Sequence, residues 1–210
     1  MAIDTIILDF NGTIIDDVDL CLDILNKMLT ERGYESISKE KYLDIFGFPV
    51  VDYYEKAGFN FPKDNFSELA VEFIGLYQPA SLKCKLYPSL IPFIERNYDK
   101  KFIILSASEQ NNLNEQVAHF HIDKYFDAVL GTTSIEGKGK KDVALDYIKE
   151  HHLDPNKTLF IGDTDHDLEV ANALNVKHCL VAHGHQARYR LEELTNNVVN
   201  SFDEINLQNK

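Results

Sequence analysis

The stretch TIILDFNGTIIDD, residues 5–17, changes character at Asp9. The run from Thr5 to Leu8 is apolar, as in strands that are buried on both faces. Asp9 follows directly, and Asn11 and Gly12 come after it as turn-forming residues. In open parallel sheets, ligands bind beyond the carboxyl ends of the strands. We therefore predict a buried strand over Thr5 to Phe10 whose exit loop carries functional residues.

Further strand-like runs recur along the chain and alternate with helix-like segments. Most of these runs are continuously apolar, which is typical of strands in a parallel sheet covered on both faces. The pattern predicts an α/β fold in which helices sandwich a parallel sheet and the crossovers are right-handed. The later predicted strands are Phe102 to Ser106, Ala128 to Gly131, Thr158 to Gly162, His178 to Ala182 and Asn197 to Asn200, and the predicted helices between them include Asp142 to His151 and Asp165 to Leu174.

Residues 16–83 interrupt this alternation with four helix candidates and no convincing strand. The first candidate has apolar residues at helical spacing from Val18 to Leu29, with Asp16 or Asp17 placed to cap its start and Gly33 to end it. A segment of this length is too long for a loop. We therefore predict a helical cap subdomain over residues 16–83, inserted above the Asp9 loop into a core made of residues 1–15 and 84–210.

Composition and charge limit the classes of partner. A net charge of -13 argues against nonspecific binding to nucleic acid or to an anionic membrane, because both need a basic surface. The longest apolar stretches are strand-sized, so no membrane span is predicted. Cys21, Cys84 and Cys179 lack CxxC spacing and are expected to be reduced thiols of a cytoplasmic protein. The sequence is compatible with a monomer and with a homodimer.

A second informative stretch is GDTDHD, residues 162–167, at the end of a predicted strand. Asp163 and Asp167 should lie beside Asp9, because the carboxyl ends of parallel strands share one edge of the sheet. Crowded carboxylates repel one another unless a cation neutralises them, and carboxylate oxygens are ligands that Mg2+ prefers. We therefore predict a Mg2+ site formed by these aspartates, whereas Asp165 is also placed to cap the following helix.

Together these segments resemble the haloacid dehalogenase-like hydrolases, in particular the phosphatases with a small helical cap. The first motif of that family, DxDGT after a strand, is similar to residues 9–13, and the second, a Ser or Thr at a strand end, is similar to Ser106. The fourth motif, GDSxxD, is similar to residues 162–167. The resemblance spans nearly the whole chain and implies a Rossmann-like core with a four-helix cap.

The resemblance implies a phosphoryl hydrolase that acts on a small phosphorylated metabolite. In such enzymes the first aspartate, here Asp9, attacks phosphorus and forms an aspartyl phosphate that water then hydrolyses. Phe48, at a break between two predicted cap helices, is the residue that we expect to face the substrate. The implied phosphate-binding residues are Thr13, Ser106 and a lysine, and the implied Mg2+ ligands are Asp9, the backbone carbonyl of Asn11, Asp163 and Asp167.

The third family motif is a catalytic lysine, and three lysines in EGKGKKD, residues 136–142, compete for that role. Lys138 stands at the distance before Asp163 at which family members with this type of cap usually place it, and it is the lysine that we favour. The prolines that usually follow this lysine are absent, so Lys141 remains a competitor. A lysine run at a helix start is also commonly a solvated surface, which applies to at least one of Lys138, Lys140 and Lys141.

Asn11 departs from the family pattern, in which an aspartate two residues after the nucleophile serves as acid and base. A carboxamide has no proton to exchange near neutral pH, so Asn11 cannot protonate a leaving alcohol. Metal binding and phosphate binding should survive this change, because neither requires that proton. We expect the protein to favour acyl or aryl phosphates, whose leaving groups need little protonation.

Several alternatives remain open at the level of sequence. A phosphate-binding regulator that has lost turnover fits the same residues, because a fold does not fix a function. A 2-haloacid dehalogenase also lacks an acid two residues after its nucleophile, but it works without metal, whereas GDTDHD keeps the acidic group that a metal requires. Asn11 is either natural or introduced to trap an intermediate, and the Asn11-Gly12 dipeptide is open to deamidation.

Overall fold

A computed structural model describes residues 2–61, 63–132 and 139–207 of the chain. The strands are β1 (Thr5–Leu8), β2 (Ile15–Asp16), β3 (Lys85–Leu86), β4 (Lys101–Glu109), β5 (Ala128–Thr132), β6 (Thr158–Gly162), β7 (Lys177–Val181) and β8 (Val198–Val199). A six-stranded parallel sheet has the order β5-β4-β1-β6-β7-β8, and β2 pairs antiparallel with β3. The prediction of an α/β fold built on a parallel sheet is confirmed.

Helices cover both faces of the sheet. The helices are α1 (Val18–Glu31), α2 (Lys39–Ile45), α3 (Val50–Ala57), α4 (Phe66–Ser81), α5 (Leu90–Arg96), α6 (Gln110–His119), α7 (Lys140–Glu150), α8 (Asp165–Ala173) and α9 (Arg188–Leu194). Residues of α5 and α6 pack with Ile6 and Leu8, whereas residues of α7 and α8 pack with Ile7. Successive side chains of β1 thus serve two cores, because they point to opposite faces of the sheet.

The register of the sheet decides where the candidate site lies. Leu8, the last residue of β1, pairs with Ile104 of β4 on one side and with Ile161 of β6 on the other. Asp9 and Asp163 therefore leave neighbouring parallel strands at the same edge. Within the three described ranges, every helix is too short or too polar to cross a lipid bilayer.

Helices α1 to α4 form a cap with a hydrophobic cluster of its own. In α1 the buried residues run from Val18 to Leu29 at helical spacing, and Gly33 follows the helix with φ +79°, as predicted for its end. The hydroxyl of Ser38 caps α2 by accepting from the backbone N–H of Lys41. The chain enters and leaves the cap through the β2–β3 ribbon, whose two-residue strands the sequence analysis did not predict.

Asp17 precedes α1, but its side chain does not cap that helix, so this part of the prediction is wrong. Its buried carboxylate turns back toward the Asp9 loop and accepts from the backbone N–H of Gly12 at 2.9 Å and from the hydroxyl of Tyr77 at 2.6 Å. The tertiary hydrogen bonds replace the local one, because α1 starts beside the loop that follows β1.

Candidate active site

Asp9, Lys140 and Asp167 form the centre of the candidate site. Asp9 follows β1, Lys140 begins α7, and Asp167 lies in the first turn of α8. The Nζ atom of Lys140 donates to Oδ1 of Asp9 and, at 2.6 Å, to Oδ1 of Asp167. All three side chains are buried. One ammonium group thus bridges two carboxylates that come from distant parts of the sequence.

Asp163 follows β6 and is held on both carboxylate oxygens. Its Oδ1 accepts from the hydroxyl of Thr13 at 2.9 Å, and its Oδ2 accepts from the backbone N–H of His185 at 2.7 Å. Gly12 lies against the same carboxylate with φ +72°, and a Cβ atom there would lie 2.4 Å from Oδ2 of Asp163. Position 12 therefore needs glycine both for its backbone conformation and for this close approach.

Asp167 has little hydrogen-bonding capacity to spare. Its Oδ2 accepts from the backbone N–H groups of Asp163 and Thr164, each at 3.0 Å, and from the hydroxyl of Thr164 at 2.8 Å. Thr164 and Asp167 form a capping box at the start of α8. Lys140 occupies the other oxygen, so the carboxylate of Asp167 joins Lys140 to the loop after β6.

The pKa values of these groups reflect burial and crowding. Burial raises the pKa of Asp9 well above its usual range; Lys140 opposes the rise, and Asp167 and Asp163 add to it. Burial raises the pKa of Asp163 to about 7. The charge of His185 opposes this rise, and the charge of Asp167 adds to it. For Asp167, burial would raise the pKa, but Lys140 outweighs burial and lowers it. For Lys140, burial would lower the pKa, but Asp167 and Asp9 raise it.

The three carboxylates fit a divalent cation. Carboxylate oxygens of Asp9, Asp163 and Asp167 lie within 4.8 Å of one another, and all three residues are buried. Lys140 offsets one of their charges, so a bound dication would remove the remaining repulsion. An all-oxygen donor set of this kind suits Mg2+. Asp9, Asp163 and Asp167 are the side chains that could hold it, together with the backbone carbonyl of Asn11.

Asn11 uses its whole side-chain amide in hydrogen bonds. Its Oδ1 accepts from the hydroxyl of Ser108 at 3.1 Å and from that of Ser106 at 3.4 Å. Its Nδ2 donates to Oδ2 of Asp17 at 3.0 Å and to the hydroxyl of Tyr77 at 2.6 Å. Ser106, at the end of the buried part of β4, therefore lies beside the loop of Asp9, as the rule on strand ends predicts.

His185 lies beside the candidate site and has no role in the predictions from sequence. It is buried, its Nε2 lies 3.1 Å from Oδ1 of Asp17, and its Nδ1 lies 2.8 Å from the hydroxyl of Tyr42. Burial would lower the pKa of His185, but Asp17 outweighs burial and raises it to about 9. Burial would raise the pKa of Asp17, but His185, Tyr77 and Asn11 lower it. One sequence signal pointed here, since His183-Gly184-His185 follows a predicted strand.

The structure describes two of the three lysines that compete for the catalytic role, and their contacts differ. Lys140 contacts Asp9 and Asp167, whereas Lys141 is exposed. Lys138, the lysine that the sequence analysis favoured, lies outside the described residues. The contacts make Lys140 the lysine suited to the catalytic role among those that the structure describes.

Phe48 lies at the rim between cap and core. Its side chain is 44% exposed, and its ring centroid is 4.6 Å from that of His166 in α8. The cap is fixed nearby, because the backbone carbonyl of Phe46 accepts from Nε2 of Gln186 at 3.0 Å and from Nη1 of Arg190 at 2.7 Å. The cap thus covers the site in this structure and leaves Phe48 at its edge.

Comparisons with known proteins identify the family and agree with the fold. The family model of the haloacid dehalogenase-like hydrolases matches residues 6–181. The phosphoglycolate phosphatase of Aquifex aeolicus is 26% identical over 188 residues, which are 86% of this chain and 85% of that protein. A haloacid dehalogenase-like family hydrolase from Streptococcus pneumoniae superimposes with a TM-score of 0.81 at 20% identity, covering 96% of each chain. A family IA hydrolase from Entamoeba histolytica gives 0.76 at 19% identity, covering 97% of this chain and 96% of that one.

The fold and the match over most of the chain define the class: the chain belongs to the haloacid dehalogenase-like hydrolases. The Aquifex aeolicus relative is named a phosphatase, which is the enzyme class that the sequence predicts within that family. The predicted family and fold are confirmed, and the predicted enzyme class agrees with the name of this relative.

Proposed function

We propose that the protein is a Mg2+-dependent phosphoryl hydrolase that acts on a small phosphorylated metabolite through an aspartyl phosphate on Asp9. The observation that carries this proposal is the buried Asp9 carboxylate, which contacts Lys140 and lies within 4.8 Å of oxygens of Asp163 and Asp167. A carboxylate nucleophile and a phosphate dianion repel each other, so the reaction needs cations at their meeting point. The site offers one ammonium group and oxygen ligands for Mg2+.

Each residue of the site has a role in the proposed reaction. Asp9 attacks phosphorus, and the leaving oxygen departs on the opposite side. An ammonium group has three N–H donors, and within the described residues Lys140 uses two, on Asp9 and Asp167, which leaves one for an oxygen of the transferring group. Thr13 holds Asp163, and Ser106 holds Asn11 beside the phosphate position. Bound Mg2+ would supply electrostatic stabilisation of the charge that develops there.

Asn11 makes the proposed enzyme selective for its leaving group. A general acid typically contributes about 10²- to 10⁴-fold to the rate, and a carboxamide cannot supply that contribution. Acyl and aryl leaving groups depart without much protonation, whereas the alkoxide that leaves an alkyl phosphate needs it. Phosphoglycolate, which names the Aquifex aeolicus relative, is an alkyl phosphate. It should therefore be hydrolysed more slowly than acetyl phosphate or p-nitrophenyl phosphate.

The test compares wild type with Asp9→Asn, a variant of nearly equal shape that removes the nucleophile. Phosphate release is measured from acetyl phosphate, p-nitrophenyl phosphate and phosphoglycolate, with Mg2+ and with EDTA. We expect turnover in the wild type with Mg2+, in that order of preference, and loss of turnover in the variant and in EDTA. Equal activity of the variant would refute the role of Asp9.

The alternatives give different results in the same experiment. A phosphate-binding regulator would bind a phosphate analogue with Mg2+, measured by calorimetry, but release no phosphate from any substrate. A dehalogenase would release halide from a 2-haloacid in EDTA. Either result would replace the proposed reaction while leaving the family assignment in place.

A further inference from the structure

The amide of Asn11 is fixed in one orientation by its surroundings. An amide offers two N–H donors and two acceptor positions, and the four hydrogen bonds to Ser106, Ser108, Asp17 and Tyr77 use all of them. The amide therefore has no spare donor for a substrate. Its nitrogen faces the cap and its oxygen faces β4.

Asp17 dictates this orientation. Its carboxylate is buried and accepts on both oxygens: Oδ1 from the backbone N–H of Gly12, and Oδ2 from the hydroxyl of Tyr77 and from Asn11. His185 lies against Oδ1 as a further partner. A carboxylate held in this way only accepts, so the side chain at position 11 must present a donor to it.

An aspartate at position 11 would face Asp17 with an oxygen instead of an N–H. The two carboxylates would meet at about the 3.0 Å that now separates Nδ2 of Asn11 from Oδ2 of Asp17. Two buried carboxylates at this distance repel each other strongly. Tyr77 cannot relieve the contact, because its single hydroxyl proton is already donated to Asp17.

We propose that Asp17 is a positioning residue that locks position 11 as an amide and so determines which leaving groups the site accepts. The lock itself is a property of the structure, whereas the effect on leaving groups rests on the proposed hydrolase function. The acid that is missing at position 11 can be restored only together with a change at position 17. Asn11→Asp alone would add a carboxylate that the site repels, whereas Asn11→Asp with Asp17→Asn would reverse the hydrogen bond.

The experiment is a double-mutant cycle on the full chain. The variants are Asn11→Asp, Asp17→Asn and the double variant, with Asn11→Ala as the matched control that loses the hydrogen bonds without adding charge. Melting temperature and urea midpoint are measured in EDTA, and turnover is measured with Mg2+ on acetyl phosphate and on phosphoglycolate. The first readout tests the lock without reference to activity, and the second tests its consequence.

We expect Asn11→Asp to melt below Asn11→Ala. Asp17→Asn also breaks the pair with His185, so we expect the double variant to lose less stability than the sum of the losses in Asn11→Asp and Asp17→Asn. We also expect phosphoglycolate turnover to rise by roughly 10²-fold in the double variant over wild type, with a much smaller change for acetyl phosphate. A merely structural role would change both substrates alike. Asn11→Asp melting as high as wild type would overturn the lock, and equal gains in the single and the double variant would overturn its effect on leaving groups. Activity in none of the proteins would refute the proposed hydrolase function, while the melting data would still decide the lock.

Discussion

The Nε2 atom of His185 lies 3.1 Å from Oδ1 of Asp17, joining the turn after β7 to the start of the cap. The pKa of His185 is about 9 in the folded protein, against about 6.5 for an unperturbed histidine. Because the folded state holds the proton more tightly, the stabilisation is complete below about pH 6.5 and is lost as the pH rises to about 9. The pair should contribute up to about 3 kcal/mol to the free energy of unfolding.

Urea unfolding of the metal-free protein between pH 6 and pH 10 measures this effect. The His185→Gln variant is the control, because it removes the titrating ring and leaves the other acids in place. We expect the difference in unfolding free energy between wild type and variant to shrink as the pH rises through this window. A difference that stays constant with pH would mean that folding does not raise the pKa of His185.

Lysine variants separate the three residues of the EGKGKKD stretch. We expect Lys140→Met to lower kcat by roughly 10²- to 10³-fold, because it removes the ammonium group beside Asp9. It should also lower stability by about 3 to 5 kcal/mol, since Asp167 loses a buried partner. The measured activity is therefore divided by the fraction of folded protein, which circular dichroism gives.

Lys141→Met is the matched control, because Lys141 is the exposed neighbour of Lys140 on α7. Its activity and stability should equal those of wild type. Lys138→Met tests the lysine that the sequence favoured. A large loss of activity in Lys138→Met, with Lys140→Met still active, would return the catalytic role to Lys138.

These lysines also show where sequence reasoning stops. The positions of Asp9, Ser106 and Asp163 follow from one rule, because each comes at or just past the end of a buried strand that its apolar run reveals. No such rule chooses among lysines within a few residues of one another at a helix start. The choice depends on which side chain points back to the sheet, and of the two lysines that the structure describes here, Lys140 does so.

The contacts of Asp17 and the β2–β3 ribbon could not be predicted from the sequence for a similar reason. Local preference makes Asp17 a helix cap, but three tertiary donors, on Gly12, Asn11 and Tyr77, outcompete the helix for its carboxylate. The strands β2 and β3 have two residues each, too few to show an alternating pattern. Features set by long-range contacts leave no periodic signal in the sequence.

Magnesium should stabilise the folded protein through Asp163. A ligand that binds only the folded state raises the free energy of unfolding by about 3 kcal/mol when its concentration is roughly a hundredfold above Kd. We expect Mg2+ to raise the melting temperature of wild type and to have little effect on Asp163→Asn. Asp165→Asn is the control, because Asp165 lies outside the carboxylate cluster and contacts Gln186 instead. Equal Mg2+ shifts in both variants would place the ion elsewhere.

Ageing should leave Asn11 intact in the folded protein. Deamidation of an Asn-Gly pair requires the backbone nitrogen of Gly12 to attack the side-chain carbon of Asn11. In the fold that N–H is held by Asp17 at 2.9 Å and by the carbonyl of Ile15 at 3.1 Å, and the amide of Asn11 is held by four hydrogen bonds. The reaction therefore has to wait for local opening of the loop, which should slow it by roughly tenfold or more.

Peptide mass spectrometry after incubation at neutral pH measures the conversion of Asn11 to aspartate or isoaspartate. A synthetic peptide of residues 5–17 and the chain unfolded in urea serve as references, and both should convert faster than the native protein. Asp17→Asn should convert faster than wild type, because its amide holds Asn11 and Gly12 less firmly. If the native protein lost its amide as fast as the peptide, the hydrogen bonds around Asn11 would not be persistent, and the lock by Asp17 would lose its structural basis.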